Sequence, residues 1–364
     1  MSTQRRIYLD YNATSPMVAA ARTAVTEAMS GLGNPSSIHE DGRRMRSRIA
    51  TARGQVASLA SRPREQIIFT SGGTEANQLG VLALARLAES RGRPRRIATT
   101  GIEHPSLRGA VEVLRAQGWT VTTLADPQPL GVAAFAAVNH ELGTLEPLAF
   151  SSALRDRGTL VHVDAVQATT KLALSTIHAD ALAISAHKLG GPQGVGALIV
   201  DDGADATLPL VEAGHQERGR RPGTENTLGI IGFGAAAAAV EPSRWPAIAE
   251  LGAILERGML RISGARIHGL DRERAGGTVN AAFEGALGES IVIALDLAGI
   301  SVSTGAACTS GSIEPSPVLL GLGLPAERAR EAVRFSLGRE TTRDEVEAVL
   351  EALPRIVERA RQHR

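Results

Sequence analysis

Between Ile67 and Val200 short apolar runs alternate with stretches whose apolar residues return every three or four positions. Ile67-Ile68-Phe69, Arg96-Ile97-Ala98-Thr99, Val132 to Val138, Leu160 to Val163, Ala181 to Ile184 and Val195 to Val200 predict strands. Leu79, Leu82, Leu84 and Leu87 predict a helix after the first of them, and Val111 and Leu114 mark one after the second. Strand and helix in alternation imply βαβ units, hence an α/β domain with a mainly parallel sheet covered on both faces. Ligand-binding loops should then gather at the carboxyl ends of the strands.

Asn226 to Val240, with its run of alanines, predicts a helix leading out of this domain. Beyond Pro242 the rhythm changes. Helices near Ile248 to Leu260 and Ser290 to Ala298 alternate with strands at Thr278 to Phe283 and Val333 to Phe335. A charged helix from Arg343 to about Arg361 follows, its arginine-rich end suited to a helix C-terminus. The expected organisation is a large domain over residues 15–240 and a smaller α+β domain built from 1–14 and 241–364.

The chain has 364 residues, enough for two such cores. Lys+Arg 39 against Asp+Glu 38 leaves a net charge of +1, so no overall field would hold nucleic acid or an anionic membrane. The arginine clusters at Arg43 to Arg48 and Arg91 to Arg96 read as solvated faces. No uncharged apolar run approaches the ~20 residues needed to cross a bilayer, and the N-terminus lacks the apolar core of a secretory signal. A cytoplasmic protein is expected. The single cysteine, Cys308, excludes an intrachain disulfide and any multi-cysteine metal site. A lone cysteine is ordinarily a small buried hydrophobe. Here Ser303 to Ser312 contains only small residues, which suits a mobile loop that carries function.

Three constellations carry candidate chemistry. Ser185-Ala186-His187-Lys188 closes a strand and runs into Gly190-Gly191, so Lys188 stands at a strand-to-loop junction beside a hydroxyl and an imidazole. A lysine so placed is a candidate for Schiff-base chemistry, since burial and cationic neighbours favour the nucleophilic neutral amine. Alone it would be read as a surface lysine. Ser71-Gly72-Gly73-Thr74-Glu75 joins a strand to a helix start, where backbone N–H groups and the helix dipole can hold a phosphate, or where Ser and Thr simply cap. Asp164 ends an apolar strand, where a carboxylate needs a partner: a pyridinium nitrogen, or the next helix. Lys188, Asp164 and a phosphate cup together specify pyridoxal phosphate better than any one of them.

With these residues go Tyr8-Leu9-Asp10-Tyr11-Asn12-Ala13-Thr14, Asn34-Pro35-Ser36-Ser37-Ile38-His39, Glu103-His104, His162-Val163-Asp164, Gln216-Glu217-Arg218-Gly219, Gly223-Thr224-Glu225-Asn226, the Cys308 loop and Arg334-Phe335-Ser336-Leu337-Gly338-Arg339. In this order they resemble the cysteine desulfurases of the class V aminotransferase family, over nearly the whole chain. The resemblance implies a type I pyridoxal-phosphate transferase fold with a seven-stranded sheet, and a homodimer. Lys188 would hold the cofactor covalently, Asp164 would pair with its ring nitrogen, and His104 would stack on the ring and move protons. Gln167 would bond its phenolic oxygen. Gly73, Thr74, Ser185 and His187 would bind its phosphate, with Thr224 supplied by the second subunit. Arg334 would take the substrate carboxylate, with Asn12 beside it as a substrate contact, a guanidinium fork being suited to bidentate recognition.

The implied reaction takes sulfur from L-cysteine onto the Cys308 thiolate, giving L-alanine and an enzyme persulfide. The persulfide would pass to an acceptor protein, an iron–sulfur scaffold or a thiolation enzyme. His104 is the expected acid or base. The chain departs from the family at His140, where a second asparagine is usual; an imidazole N–H could replace that donor, so His140 is expected to contact the cofactor. The segment from Thr120 to Val138 is shorter than in relatives by about one helix, and Pro317 replaces a frequent histidine. The rival readings are a selenocysteine lyase or class V aminotransferase on the same fold, and a scaffold without cofactor.

Overall fold

The computed structural model describes residues 6–31, 33–146, 148–201, 213–305 and 314–362. They divide into two compact units, one holding Ser15–Ala137 and Glu146–Pro242, the other the described residues of Met1–Thr14, Val138–Leu145 and Ser243–Arg364. The first strand, β1 (Ile7–Tyr8), belongs to the second of these.

The larger unit runs α1 (Ala19–Met29), α2 (Glu40–Ala60), β2 (Ile67–Thr70), α3 (Gly73–Ser90), β3 (Arg96–Thr99), α4 (Pro105–Ala116), β4 (Thr120–Thr123), β5 (Val132–Ala136), α5 (Leu148–Asp156), β6 (Leu160–Asp164), β7 (Ala181–Ser185), β8 (Gly196–Val200) and α6 (Thr227–Ala238). Its seven strands lie in the order β2-β8-β7-β6-β5-β3-β4. The β7-to-β4 part is parallel, whereas β8 is antiparallel to both its neighbours. The reason is the connection: only a 3₁₀ turn at Ala186–Leu189 and a glycine-rich loop separate β7 from β8, too short for a crossover. Lys188 sits in that turn. Every residue of β5, β6, β7 and β8 is buried, as expected for strands covered on both faces. Ile68, Leu84, Ile97, Leu107 and Val132 centre the core.

The arginine cluster expected on a solvated face lies on one, although the helix that carries it was not predicted, and the segment after Thr120 is short as expected. Arg43, Arg44 and Arg46 are the wet face of α2, whose Met45, Ile49 and Val56 are buried. Between β4 and β5 the chain passes through residues 124–131 without a helix.

The smaller unit contains α7 (Trp245–Met259), β9 (Ala265–Ile267), β10 (Thr278–Phe283), α8 (Gly288–Leu297), β11 (Ile300–Ser301), α9 (Pro317–Gly321), α10 (Ala326–Ala329), β12 (Ala332–Ser336) and α11 (Arg343–Gln362). β12, β10 and β9 form an antiparallel sheet, and β1 pairs in parallel with β11. Leu9, Leu255, Phe283 and Phe335 are buried together with Val346, Val349, Leu353 and Val357, the apolar stripe of α11. Residues 138–145, expected in the large domain, cluster instead with this unit. The cause is hydrogen bonding: Leu145 N donates to Glu273 O, Ala275 N donates to Gly143 O, and Thr144 bridges Arg274. Among the described residues no helix is long and apolar enough to cross a membrane.

Candidate active site

In the larger unit the carboxyl end of β2 turns sharply into α3. Gly72 is the N-cap with φ 159°, in a region that L side chains rarely adopt, and no side chain caps the helix there. The turn is held from below: Thr70 Oγ1 donates to Gly72 O at 2.9 Å, and Ser71 N donates to Glu75 Oε2 at 2.6 Å. A Cβ on Gly73 would stand 2.7 Å from Val166 Cγ2 and 3.4 Å from Ser185 Cβ, so only glycine lets the helix start lie against the ends of β6 and β7. On Gly72 a Cβ would meet nothing within 4 Å, which leaves open space beside the turn. An 18-residue helix whose first N–H groups adjoin open space is suited to an anion.

Asp164 ends β6 with 5% of its surface exposed. Its Oδ1 accepts from Val166 N at 2.9 Å and its Oδ2 from Asn77 Nδ2 at 2.8 Å. Next in the sheet, β7 ends at Ser185, itself buried, and leads to His187 and Lys188. Ser15 fixes this turn by donating from N to His187 O at 2.9 Å and from Oγ to Lys188 O at 2.8 Å. Burial, assisted by the neighbouring Lys188 charge, pushes the His187 pKa down to about 4, so the imidazole is uncharged at neutral pH.

Gln167 is 8% exposed, and Lys171 Nζ donates to its Oε1 at 3.1 Å. Lysine can only donate, so this contact identifies the amide oxygen and leaves the amide nitrogen as the donor end of Gln167. His104 is the N-cap of α4 and accepts at Nδ1 from Ser106 N at 3.2 Å. Thr224 is exposed and lines a cavity of about 130 Å³ with Ser71 and Arg221. Its segment is tied to the first turn of α3 by Arg221 Nε, which donates to Glu75 Oε1 at 2.8 Å. The same segment is anchored at Glu217, whose buried carboxylate accepts from Nη1 and Nη2 of Arg53, each at 2.6 Å.

The remaining expected site residues lie in the smaller unit. Arg334, on β12, is 4% exposed; Nη2 donates to Asp10 Oδ1 at 2.7 Å and Nη1 to His140 O at 3.1 Å. Asn12 Nδ2 donates to the same His140 carbonyl and to Thr278 Oγ1, each at 3.1 Å. The His140 ring lies 3.6 Å, Nε2 to Oε1, from Glu141. Cys308 lies outside the described residues. On either side of its segment the chain is held: Arg334 N donates to Ser303 O at 2.6 Å, and Ser316 Oγ donates to Glu141 Oε2. Pro317, flagged as a departure, is the first residue of α9, behind the Ser316 N-cap.

The structure therefore brings Gly73, Thr74, His104, Asp164, Gln167, Ser185, His187, Lys188 and Thr224 into one unit, and Asn12, His140 and Arg334 into the other. Asn77, Ser106 and Lys171 escaped the sequence reading. A signal existed for two of them. Asn77 is an amide on the face of α3 that carries Gly73, Ala76, Gly80 and Leu84, and Lys171 is one of only two lysines in the chain, the other being Lys188.

A profile of the family described as Aminotransferase class-V matches residues 7–349. The chain belongs to that family. A class-V relative from Trichormus azollae, named cysteine desulfurase, is 39% identical over 98% of this chain and 94% of its own length. Among solved structures, a NifS-like protein superimposes with a TM-score of 0.85 at 29% identity, covering 97% of this chain and 99% of its own. SspA in complex with cysteine gives a TM-score of 0.77 at 27% identity, covering 91% and 98%. The larger unit fits the cofactor that the class-V family uses. It offers a buried carboxylate with two donors behind it, a lysine at a strand end, and a helix start where glycine leaves room for a phosphate.

Proposed function

We propose that this protein is a pyridoxal-phosphate-dependent cysteine desulfurase, which takes sulfur from L-cysteine onto Cys308 and releases L-alanine. The observation that carries the reading is Asp164 at the end of β6, buried and anchored by Asn77 and Val166, one strand from the turn that bears Lys188. The 39% identity to a relative named cysteine desulfurase supports the substrate, as does the likeness to a structure holding cysteine.

When bound, the cofactor supplies an aldehyde for covalent capture and an electron sink that weakens the substrate's bond to sulfur. Lys188 would hold it and Asp164 would keep its ring nitrogen protonated. Backbone N–H groups at Gly73 and Thr74, with Ser185 and His187, would bind its phosphate. Gln167 would present its amide N–H₂ to the phenolic oxygen, since Lys171 occupies the amide oxygen. His140 is proposed as a further cofactor contact. Arg334 takes the substrate carboxylate through its guanidinium, with Asn12 holding the adjoining backbone, and Cys308 accepts the sulfur as a thiolate. A second copy of the chain would supply Thr224, and the persulfide would pass to an iron–sulfur scaffold or thiolation protein in the cytoplasm.

Purified protein loaded with pyridoxal phosphate is expected to release alanine from L-cysteine and to carry one persulfide on Cys308. Cys308→Ala should lose the persulfide and at least 100-fold of the turnover, on the order expected for removing a covalent nucleophile. Cofactor-loaded protein that forms neither product would reject the assignment. A Cys308→Ala variant that still transfers amino groups at the wild-type rate would favour the aminotransferase reading.

A further inference from the structure

We propose that Asn77 and Ser106 form a hydrogen-bond relay joining Asp164 to His104, which holds the neutral His104 ring with its proton on Nε2. Asn77, Ser106 and His162 are then positioning residues. The inference deepens the function proposed above and depends on it only for what the relay serves.

The direction of every bond follows from one end. A carboxylate only accepts, so the Asn77 atom 2.8 Å from Asp164 Oδ2 is the amide nitrogen. Its oxygen therefore faces His162 Nε2, also at 2.8 Å, and Nε2 must carry a hydrogen. His162 is fully buried, and among the described residues its Nδ1 has no hydrogen-bond partner. Gly80 of α3 packs against that nitrogen so closely that a Cβ there would stand 2.5 Å away. A ring with a bare, walled-in Nδ1 and a single proton on Nε2 is the form that this packing accommodates. Burial pushes the His162 pKa down to about 3, in keeping with a neutral ring.

With its oxygen engaged by His162, Asn77 has a second N–H, which it donates to Ser106 Oγ at 2.9 Å. Ser106 Oγ accepts there, so its own hydrogen is directed to His104 Nδ1 at 2.8 Å. The Ser106 backbone N–H donates to the same Nδ1 at 3.2 Å. Two donors converge on Nδ1, which must act as an acceptor, and the proton of the neutral ring resides on Nε2. His104 in this state gives a hydrogen bond from Nε2 and cannot accept one there. The relay thus assigns His104 the donor's part at Nε2 in this resting tautomer.

Histidine-selective ¹⁵N labelling of the cofactor-loaded protein tests this directly. Of the nine histidines, those whose signals vanish in His104→Asn and His162→Asn are identified, and both should show a protonated Nε2 and an unprotonated Nδ1. In Ser106→Ala the lost hydroxyl donor should shift the His104 Nδ1 signal, the backbone N–H of residue 106 keeping the proton on Nε2, while the His162 pair stays in place. Protonation of His104 at Nδ1, or a His104 pair unaltered by Ser106→Ala, would overturn the relay. These spectra read the rings whether or not L-cysteine is turned over, so failure of the relay and failure of the desulfurase assignment are separate results.

Discussion

Glu103 precedes His104 and is 2% exposed, with carboxylate oxygens that accept from Thr100 Oγ1 and, at 2.9 Å, from Ala136 N. Burial outweighs those donors and raises its pKa to about 7. A carboxyl raised in the folded state binds more protons folded than unfolded between its ordinary value and about 7. Stability therefore falls as pH rises through that window and levels off above it. His162, lowered to about 3, acts in the opposite sense, losing stability as pH falls below its unfolded value. Comparing Glu103→Gln with the wild type cancels the histidine's part. The melting temperature of Glu103→Gln should gain on the wild type from pH 5 to pH 7; parallel profiles would refute the burial argument. At this scale the sequence named Lys188 and Asp164 because a charged residue closing an apolar strand is conspicuous. It could not name Asn77, Ser106 or His162 as a connected set, since their contacts join β6, α3 and α4, which are distant along the chain.

Among the elements, the start of α3 carries the most consequence. Gly73 allows its helix to meet Val166, and Gly196 of β8 allows the turn to lie on the sheet, because a Cβ there would stand 2.6 Å from the Gly72 carbonyl carbon. Gly73→Ala should destabilise the apo protein by about 1–3 kcal/mol, the usual cost of overpacking, and should weaken cofactor binding. Urea denaturation and a fluorescence titration with pyridoxal phosphate measure the two. Pairing it with Val166→Ala should restore most of the stability, and no loss in the single variant would contradict the close approach. Helices α3 and α4 and strands β2, β3 and β5 to β8 were legible because their apolar residues are dense and their periods clear. Helix α2 was not: its buried residues include Gly42, Ala52, Gly54 and Ala57, which leave a faint stripe among arginines. Strand β4 was missed for a related reason, being half-buried and built of three threonines and a valine.

Across the molecule, the order of motifs along the chain pointed to the family before any fold was seen, because so many short segments had to agree. Their division between two units was less legible. Residues 138–145 sit in sequence between strands of the larger unit, yet their backbone is hydrogen-bonded to 273–275. Nothing in local periodicity reports such a pairing. The whole account turns on Lys188, and the composition offers a clean test. Only Lys171 and Lys188 can carry a pyridoxyl group on a lysine side chain, and Lys171 is buried against Gln167. Borohydride reduction of the protein with pyridoxal phosphate, followed by peptide mass mapping, should place one pyridoxyl group on the peptide containing Lys188 and none on Lys171. A pyridoxyl group on Lys171, or none on either lysine in protein that has bound the cofactor, would contradict the account.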